Sequence, residues 1–254
     1  TTGAVVLRQP FGGMGKSALG AGIKVGGPNY VSQFMDFTET ADPPIGAIQQ
    51  ETSLLRLARE WKVELLWGKH EEYKTELEKT VQAIKNYIYN FEQEFSQEKD
   101  YFHLRGQDNI LRYLPLGTVV VRLHENDPLF DVLGRIAAVK VSGCKLLISI
   151  PHDMNNSVTS FLLGREGKRL VGTAPVRRQS DSELIQSMPE IQRIRYASPD
   201  RVPFAVSEAA AKAGFFISKA RVLSEGRLEL LQYFQEQSIC DTYHRYGNLG
   251  ERGL

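Results

Sequence analysis

The chain has only two cysteines, Cys144 and Cys240, far apart and with no CxxC between them. That excludes a disulfide framework and offers no zinc-ligand spacing, and it fits a reducing compartment such as the cytoplasm. An excess of one charge is missing as well: 31 Lys+Arg stand against 30 Asp+Glu, a net charge of +1. Such a chain has no global field for phosphates, which argues against a strongly basic nucleic-acid binder. Long apolar runs are absent too. The most apolar stretch, Gly134 to Ile150, is broken by Arg135, Lys140 and Lys145, and a membrane span needs about 18 uninterrupted apolar residues. The histidines at 70, 103, 124, 152 and 244 show neither HxH nor HxxxH spacing, so no metal site is expected. The sequence starts at Thr1 with no charged-then-apolar leader, and the start reads as a cut rather than a natural beginning.

What is present is ordinary globular composition, 254 residues with 42% hydrophobic and 24% charged, enough for one large or two small domains. Glycine is unevenly placed: 22 occur in the chain, and eight fall within the first 27 residues. That density marks a loop that folds tightly around something. Gly15-Lys16-Ser17 invites a phosphate-loop reading, but the glycine required five residues before Gly15 is Pro10. Gly20-Ala21-Gly22 lacks the third glycine and the following helix of a dinucleotide fingerprint. Tyr30, Val31, Phe34, Met35 and Phe37 form an extended-looking segment, closed by Asp42-Pro43-Pro44.

From Ile48 the period becomes helical. Leu54, Ala58, Trp61 and Leu65 share one face, with Gly68 as a stop, and a longer stripe runs Tyr73, Leu77, Val81, Ile84, Ile88, Phe91, Phe95. Such a stripe is core more often than a partner groove. Gly117 to Leu123 then reads as a strand, Leu129 to Val141 as a helix and Lys145 to Ile150 as a second strand. This βαβ unit requires parallel pairing with a right-handed crossover, the start of a doubly wound sheet. Arg193 to Ala197, Val202 to Ala213 and Phe215 to Lys219 repeat the alternation, and Arg227 to Phe234 reads as a closing helix. Cys144 carries no mark of an activated nucleophile. The tail Tyr243 to Gly250 is rich in groups that stack and hydrogen-bond, as for docking onto a protein surface or for a disordered end.

Thr2-Gly3-Ala4-Val5-Val6, then Gln9-Pro10-Phe11-Gly12-Gly13, then Gly26-Gly27-Pro28-Asn29-Tyr30 resemble the end of the catalytic domain in Δ1-pyrroline-5-carboxylate dehydrogenases, which oxidise L-glutamate γ-semialdehyde with NAD. The resemblance implies that the amides of Gly3 and Ala4 hold the substrate α-carboxylate, Ala4 standing where the family often has Ser, and that Phe11 packs on its aliphatic part. It also implies that Tyr30 to Phe37 is an oligomerisation strand. The remainder resembles the carboxyl-terminal part of long forms of proline utilization A, bifunctional enzymes that add an FAD-dependent proline dehydrogenase. The implied organisation is 1–42 as the end of the catalytic domain, 43–110 as a helical segment, 111–240 as a non-catalytic Rossmann-like domain and 241–254 as a docking motif centred on His244, Arg245, Tyr246, Gly247, Asn248 and Leu249. The fold expected is therefore α/β, a Rossmann-like aldehyde-dehydrogenase-type domain with a parallel sheet, preceded by long helices, a glycine-rich loop and a strand.

Pro115 to Val119 and Asn126 to Leu129 resemble the PxGV and NxPL segments of active aldehyde dehydrogenases, placing Asn126 at their oxyanion-stabilising Asn. Ile150 replaces the Lys that binds the adenosine ribose, and no GQxC-like block occurs. An apolar side chain cannot donate to ribose hydroxyls, so this unit is expected to bind no cofactor. The expectation is a fragment without catalytic residues of its own, NAD and FAD belonging to the parent, a cytoplasmic homo-oligomer that meets a membrane only peripherally. The alternative is a free-standing interaction module on a Rossmann-like scaffold.

Overall fold

The computed structural model describes residues 3–13 and 20–243. Its first regular element is the helix α1 (Ser53–Leu66), whose Thr52 hydroxyl accepts from the Leu55 amide at 3.0 Å and so satisfies one of the free N-terminal donors. The helix α2 (Lys74–Asn90) follows and widens into a π-helical turn over Phe91–Phe95. Leu77, Val81, Ile84 and Ile88 are buried, in one cluster with Trp61 and Leu65 of α1. The long stripe is thus core, as its period implies.

That core is shared with a sheet. Before it come the two-residue β1 (Lys99–Asp100) and the nine-residue β2 (Gln107–Pro115), which belong to a separate sheet. The β-branched run forms β3 (Thr118–Arg122), the helix α3 (Leu129–Ser142) crosses over, and β4 (Lys145–Ile150) returns parallel to β3. Gly143 takes the left-handed conformation, φ 77°, that ends α3. After α4 (Ser157–Leu163) and α5 (Arg165–Val171) come β5 (Val176–Arg178), α6 (Asp181–Gln186), β6 (Arg193–Arg195), α7 (Phe204–Ala213) and β7 (Ile217–Ser218). These five strands pair in parallel in the order β5-β4-β3-β6-β7. Both faces are covered. Val119 and Val121 point into the cluster with α1, α2 and α3, whereas Val120 points with Leu147 and Ile194 into a second cluster under α6 and α7. The two-residue period of β3 thus places alternate valines on opposite faces, as a doubly wound sheet requires.

Two expectations fail. Arg227 to Phe234 is not one closing helix: α8 (Gly226–Glu229) and a 3-10 turn (Leu230–Gln232) end at Tyr233, and a nine-residue strand, β8 (Phe234–Thr242), begins. It pairs antiparallel with β2 from Gln107↔Thr242 to Pro115↔Phe234, with β1 on the outer side of β2. Tyr30 to Phe37 is not a strand either. Val31–Phe34 is a 3-10 turn, closed by Ser32 N to Asn29 O at 3.2 Å and Met35 N to Ser32 O at 3.3 Å. Beyond Met35 the chain is held by side chains rather than by a ladder: Glu39 accepts from Ser224 Oγ, Asn86 donates to Pro44 O, and Glu92 accepts from the amides of Gln49 and Gln50. A strand needs a neighbour's backbone, and here the neighbours are helices.

Candidate functional site

The glycine-rich opening folds back on itself. Val5 and Gln9 pair, with Leu7 left-handed at φ 57°, and Phe11 exchanges both backbone hydrogen bonds with Val25, at 3.0 and 2.8 Å. The two blocks that resemble substrate-anchor segments are therefore adjacent in space. Gly3 and Ala4 are exposed, and Phe11 is 48% exposed.

What holds the loop is β8. Glu236, only 3% exposed, spends one carboxylate oxygen on the Lys24 amide and the other on Asn29 Nδ2, both at 2.6 Å. The Glu236 amide in turn donates to Gly22 O at 2.8 Å. Asn29 also donates to the Tyr113 hydroxyl at 2.7 Å and accepts from Arg227 Nη2 at 2.6 Å, and Tyr113 donates to Glu94 at 2.8 Å. Burial pushes the Glu236 carboxyl above its ordinary value, against the lowering pull of Lys24, Asn29 and Arg227. For Glu94 burial pushes upward too, but Lys99, Arg227 and Tyr113 together hold it below the usual range. Gly22 lies flat on β8, with φ 88° and room for no more: an added Cβ would stand 2.8 Å from Gln235 Cβ. Sequence reasoning singled out Asn29 only as part of a motif and missed Glu236, 207 positions away.

The second candidate region is the crevice at the carboxyl ends of β3 and β6, where the strand order reverses and dinucleotides bind in folds of this topology. Here it is filled from within. The Arg135 guanidinium, with no exposed surface, donates to Arg122 O at 2.8 Å, to Arg195 O at 3.0 Å and to Asp127 at 2.5 Å. Arg122 bonds Ser149, Gln179 O and Asp181, and Arg195 is paired with Glu229 at 2.8 and 2.9 Å. The start of α3, where a pyrophosphate would meet free amides, already has two carboxylates: Asp127 accepts from the His124 amide at 3.0 Å and Glu76 of α2 accepts from Phe130 N at 2.6 Å. Pro128 precedes that helix and has no amide hydrogen to give. Asn126 is exposed in this turn, and Ile150 is fully buried in the core. These residues do not fit a dinucleotide, since a pyrophosphate would meet Asp127 and Glu76 and no free cradle.

Glu64, His70 and Glu166 bring ligand-type atoms within 4.8 Å of one another. The guanidinium of Arg169 already bridges Glu60, Glu64 and Glu166, so the cluster is an ion-pair clasp between α1 and α5. The motif His244, Arg245, Tyr246, Gly247, Asn248 and Leu249 lies outside the described residues, as does Gly15-Lys16-Ser17.

Comparison with known proteins agrees with this architecture. Proline utilization A (PutA) from Corynebacterium freiburgense matches 95% of the chain with a TM-score of 0.62 and 26% identity. The chain is PutA-like in its α/β fold. It spans only 20% of that PutA chain. A variant PutA from Bradyrhizobium japonicum matches 65% of this PutA-like chain in fold, at a TM-score of 0.51 and 13% identity, and the chain covers 19% of it. An NAD-dependent aldehyde dehydrogenase from Sinorhizobium meliloti overlaps 65% of the chain at a TM-score of 0.49 and 14% identity, 36% of that protein being covered. No family model and no curated protein sequence matches the chain.

Proposed function

We propose that this PutA-like chain works as the carboxyl-terminal part of an NAD-dependent L-glutamate γ-semialdehyde dehydrogenase in proline catabolism. On this reading Gly3 and Ala4 offer amides to the substrate α-carboxylate and Phe11 packs on its aliphatic portion. The body of the chain is a non-catalytic, Rossmann-like cover that carries the anchor loop and contributes to a homo-oligomer. The cysteine thiolate that attacks the aldehyde, the NAD that takes the hydride and, where present, the FAD of the proline step belong to the catalytic parts of the whole protein. The observation that supports the reading most is the clamp of Lys24 and Asn29 on Glu236, because it fastens the anchor loop to the cover domain. The filled switch point supports the non-catalytic role of the cover.

In the intact enzyme, Phe11→Ala should raise KM for the semialdehyde about tenfold while kcat changes about twofold at most, since an apolar contact made equally in ground and transition states is lost. Unchanged KM would contradict the anchoring role.

A further inference from the structure

The helices α1 and α2 each bury one stripe in the core, and two helices packed side by side leave a groove between their outer faces that a third helix can fill. Here the groove is open, with a volume of about 650 Å³. Leu65 and Val81 line its buried floor, and Leu66, 76% exposed, stands on its α1 rim. Val63 and Trp67 are exposed as well, at the i, i+3, i+4 spacing with Leu66 that puts side chains on one side of a helix. A cluster of exposed apolar side chains of this kind marks an interaction surface.

Charge along the groove is uneven. Glu71 pairs with Lys74 at 3.6 Å and Lys79 with Glu39 at 3.0 Å, while Glu78 adds an acid on the first half of α2. About two turns beyond Glu78, Lys85 shares the groove with Lys62 of α1, and neither forms an ion pair among the described residues. Asp42 also lines the groove, but the charges that act on Lys85 are cations: burial first, then Lys62 and Arg59, hold its ammonium below the ordinary lysine value. Arg59 is answered by Glu51 at 2.7 Å, which leaves Lys62 and Lys85 as two unneutralised charges. Both are reachable from solvent, Lys62 exposed and Lys85 half-buried. A carboxylate placed between them replaces repulsion with attraction.

We propose that the α1–α2 groove docks an acidic amphipathic helix of another protein, its apolar side chains against Leu65, Leu66 and Val81 and its carboxylates between Lys62 and Lys85. The two-helix groove sets the shape of the partner and the unneutralised cations set its charge. A second copy of this chain would bring the same cations against themselves. The proposal rests on this surface alone and stands apart from the dehydrogenase reading.

The test is fluorescence anisotropy of the 254-residue chain with a labelled helical peptide of about 20 residues, leucines on one face and glutamates beside them, and with the same peptide carrying lysine for every glutamate. The glutamate peptide should bind saturably and at least about tenfold more tightly than the lysine peptide. The double variant Lys62→Glu, Lys85→Glu should reverse that preference. Leu66→Ala, which removes an exposed side chain and leaves the core intact, should weaken the glutamate peptide about fivefold, with circular dichroism confirming that both variants are folded. Equal binding of the two peptides, no saturable binding, or a preference unchanged in the folded double variant would each overturn the proposal. So would dimerisation of the chain that Leu66→Ala abolishes, which would make a second copy the occupant, or cosedimentation with phosphatidylglycerol vesicles that the double variant abolishes, which would make it a lipid surface.

Discussion

Replacing Glu236 by Gln probes the fastening of the loop with an almost isosteric change. The carboxylate accepts from two buried donors, Lys24 N and Asn29 Nδ2, one on each oxygen at 2.6 Å. Glutamine has one acceptor and two donors, so whichever way its amide turns, a donor faces a donor. Asn29 cannot turn to compensate without losing Tyr113 and Arg227. An unsatisfied buried donor costs about 1–3 kcal/mol. Part of that is offset because burial disfavours the charged carboxylate, as its raised pKa reflects, leaving about 1–2 kcal/mol. The cost is local, since Lys24 and Asn29 lie on a loop outside the two core clusters. Hydrogen exchange should show the Lys24 amide opening about tenfold faster, the factor equivalent to about 1.4 kcal/mol, with Val120 and Ile148 unchanged. Wild-type protection of Lys24 in the variant would refute the clamp.

Three further outcomes follow from the structure. Arg135→Met removes the close, fully buried partner of the Asp127 carboxylate and leaves it the 3.8 Å pair with Arg201; it should cost about 3 kcal/mol in urea unfolding, without creating saturable heat on NAD titration, and a cost below about 1 kcal/mol would contradict a structural role for the switch-point arginine. Burial raises Asp131 to a pKa of about 6, against the lowering effect of Arg135, so its stabilising contribution is fully present below about pH 4 and is lost as pH rises through about 6; Asp131→Asn should flatten that part of the stability–pH curve, and an unchanged slope would contradict the burial argument. Gly22→Ala combines a left-handed φ of 88° with a 2.8 Å contact on Gln235, and should expose the loop to proteolysis at concentrations that leave the wild type intact.

How far the sequence could be read follows from the range of the interactions. The β3–α3–β4 unit announces itself because its signals are local: a β-branched run, a helical period ending at Gly143, a second apolar run. The stripe on α2 is legible for the same reason. β2 and β8 escape notice because Gln107 meets Thr242, 135 positions on, and their alternating pattern puts Asn109, Tyr113 and Glu236 on the covered face, where apolar residues are expected. Tyr30 to Phe37 has strand-like composition, yet its surroundings offer helices and side chains rather than a free backbone edge. The anchor blocks were visible as motifs, but their pairing through Phe11 and Val25 and their fastening to Glu236 depend on the fold. The Asp127–Arg135 pair that fills the switch point links a turn to a helix at no regular spacing, so nothing local in the sequence marks it.

The role proposed for this chain is that of the anchor-bearing, non-catalytic part of a larger dehydrogenase. Its most direct test is the intact mass of the native protein captured from its source cells with an antibody raised against the chain. The account predicts a product several times heavier than 28.6 kDa that oxidises L-glutamate γ-semialdehyde with NAD. A native product of 28.6 kDa without that activity would contradict it.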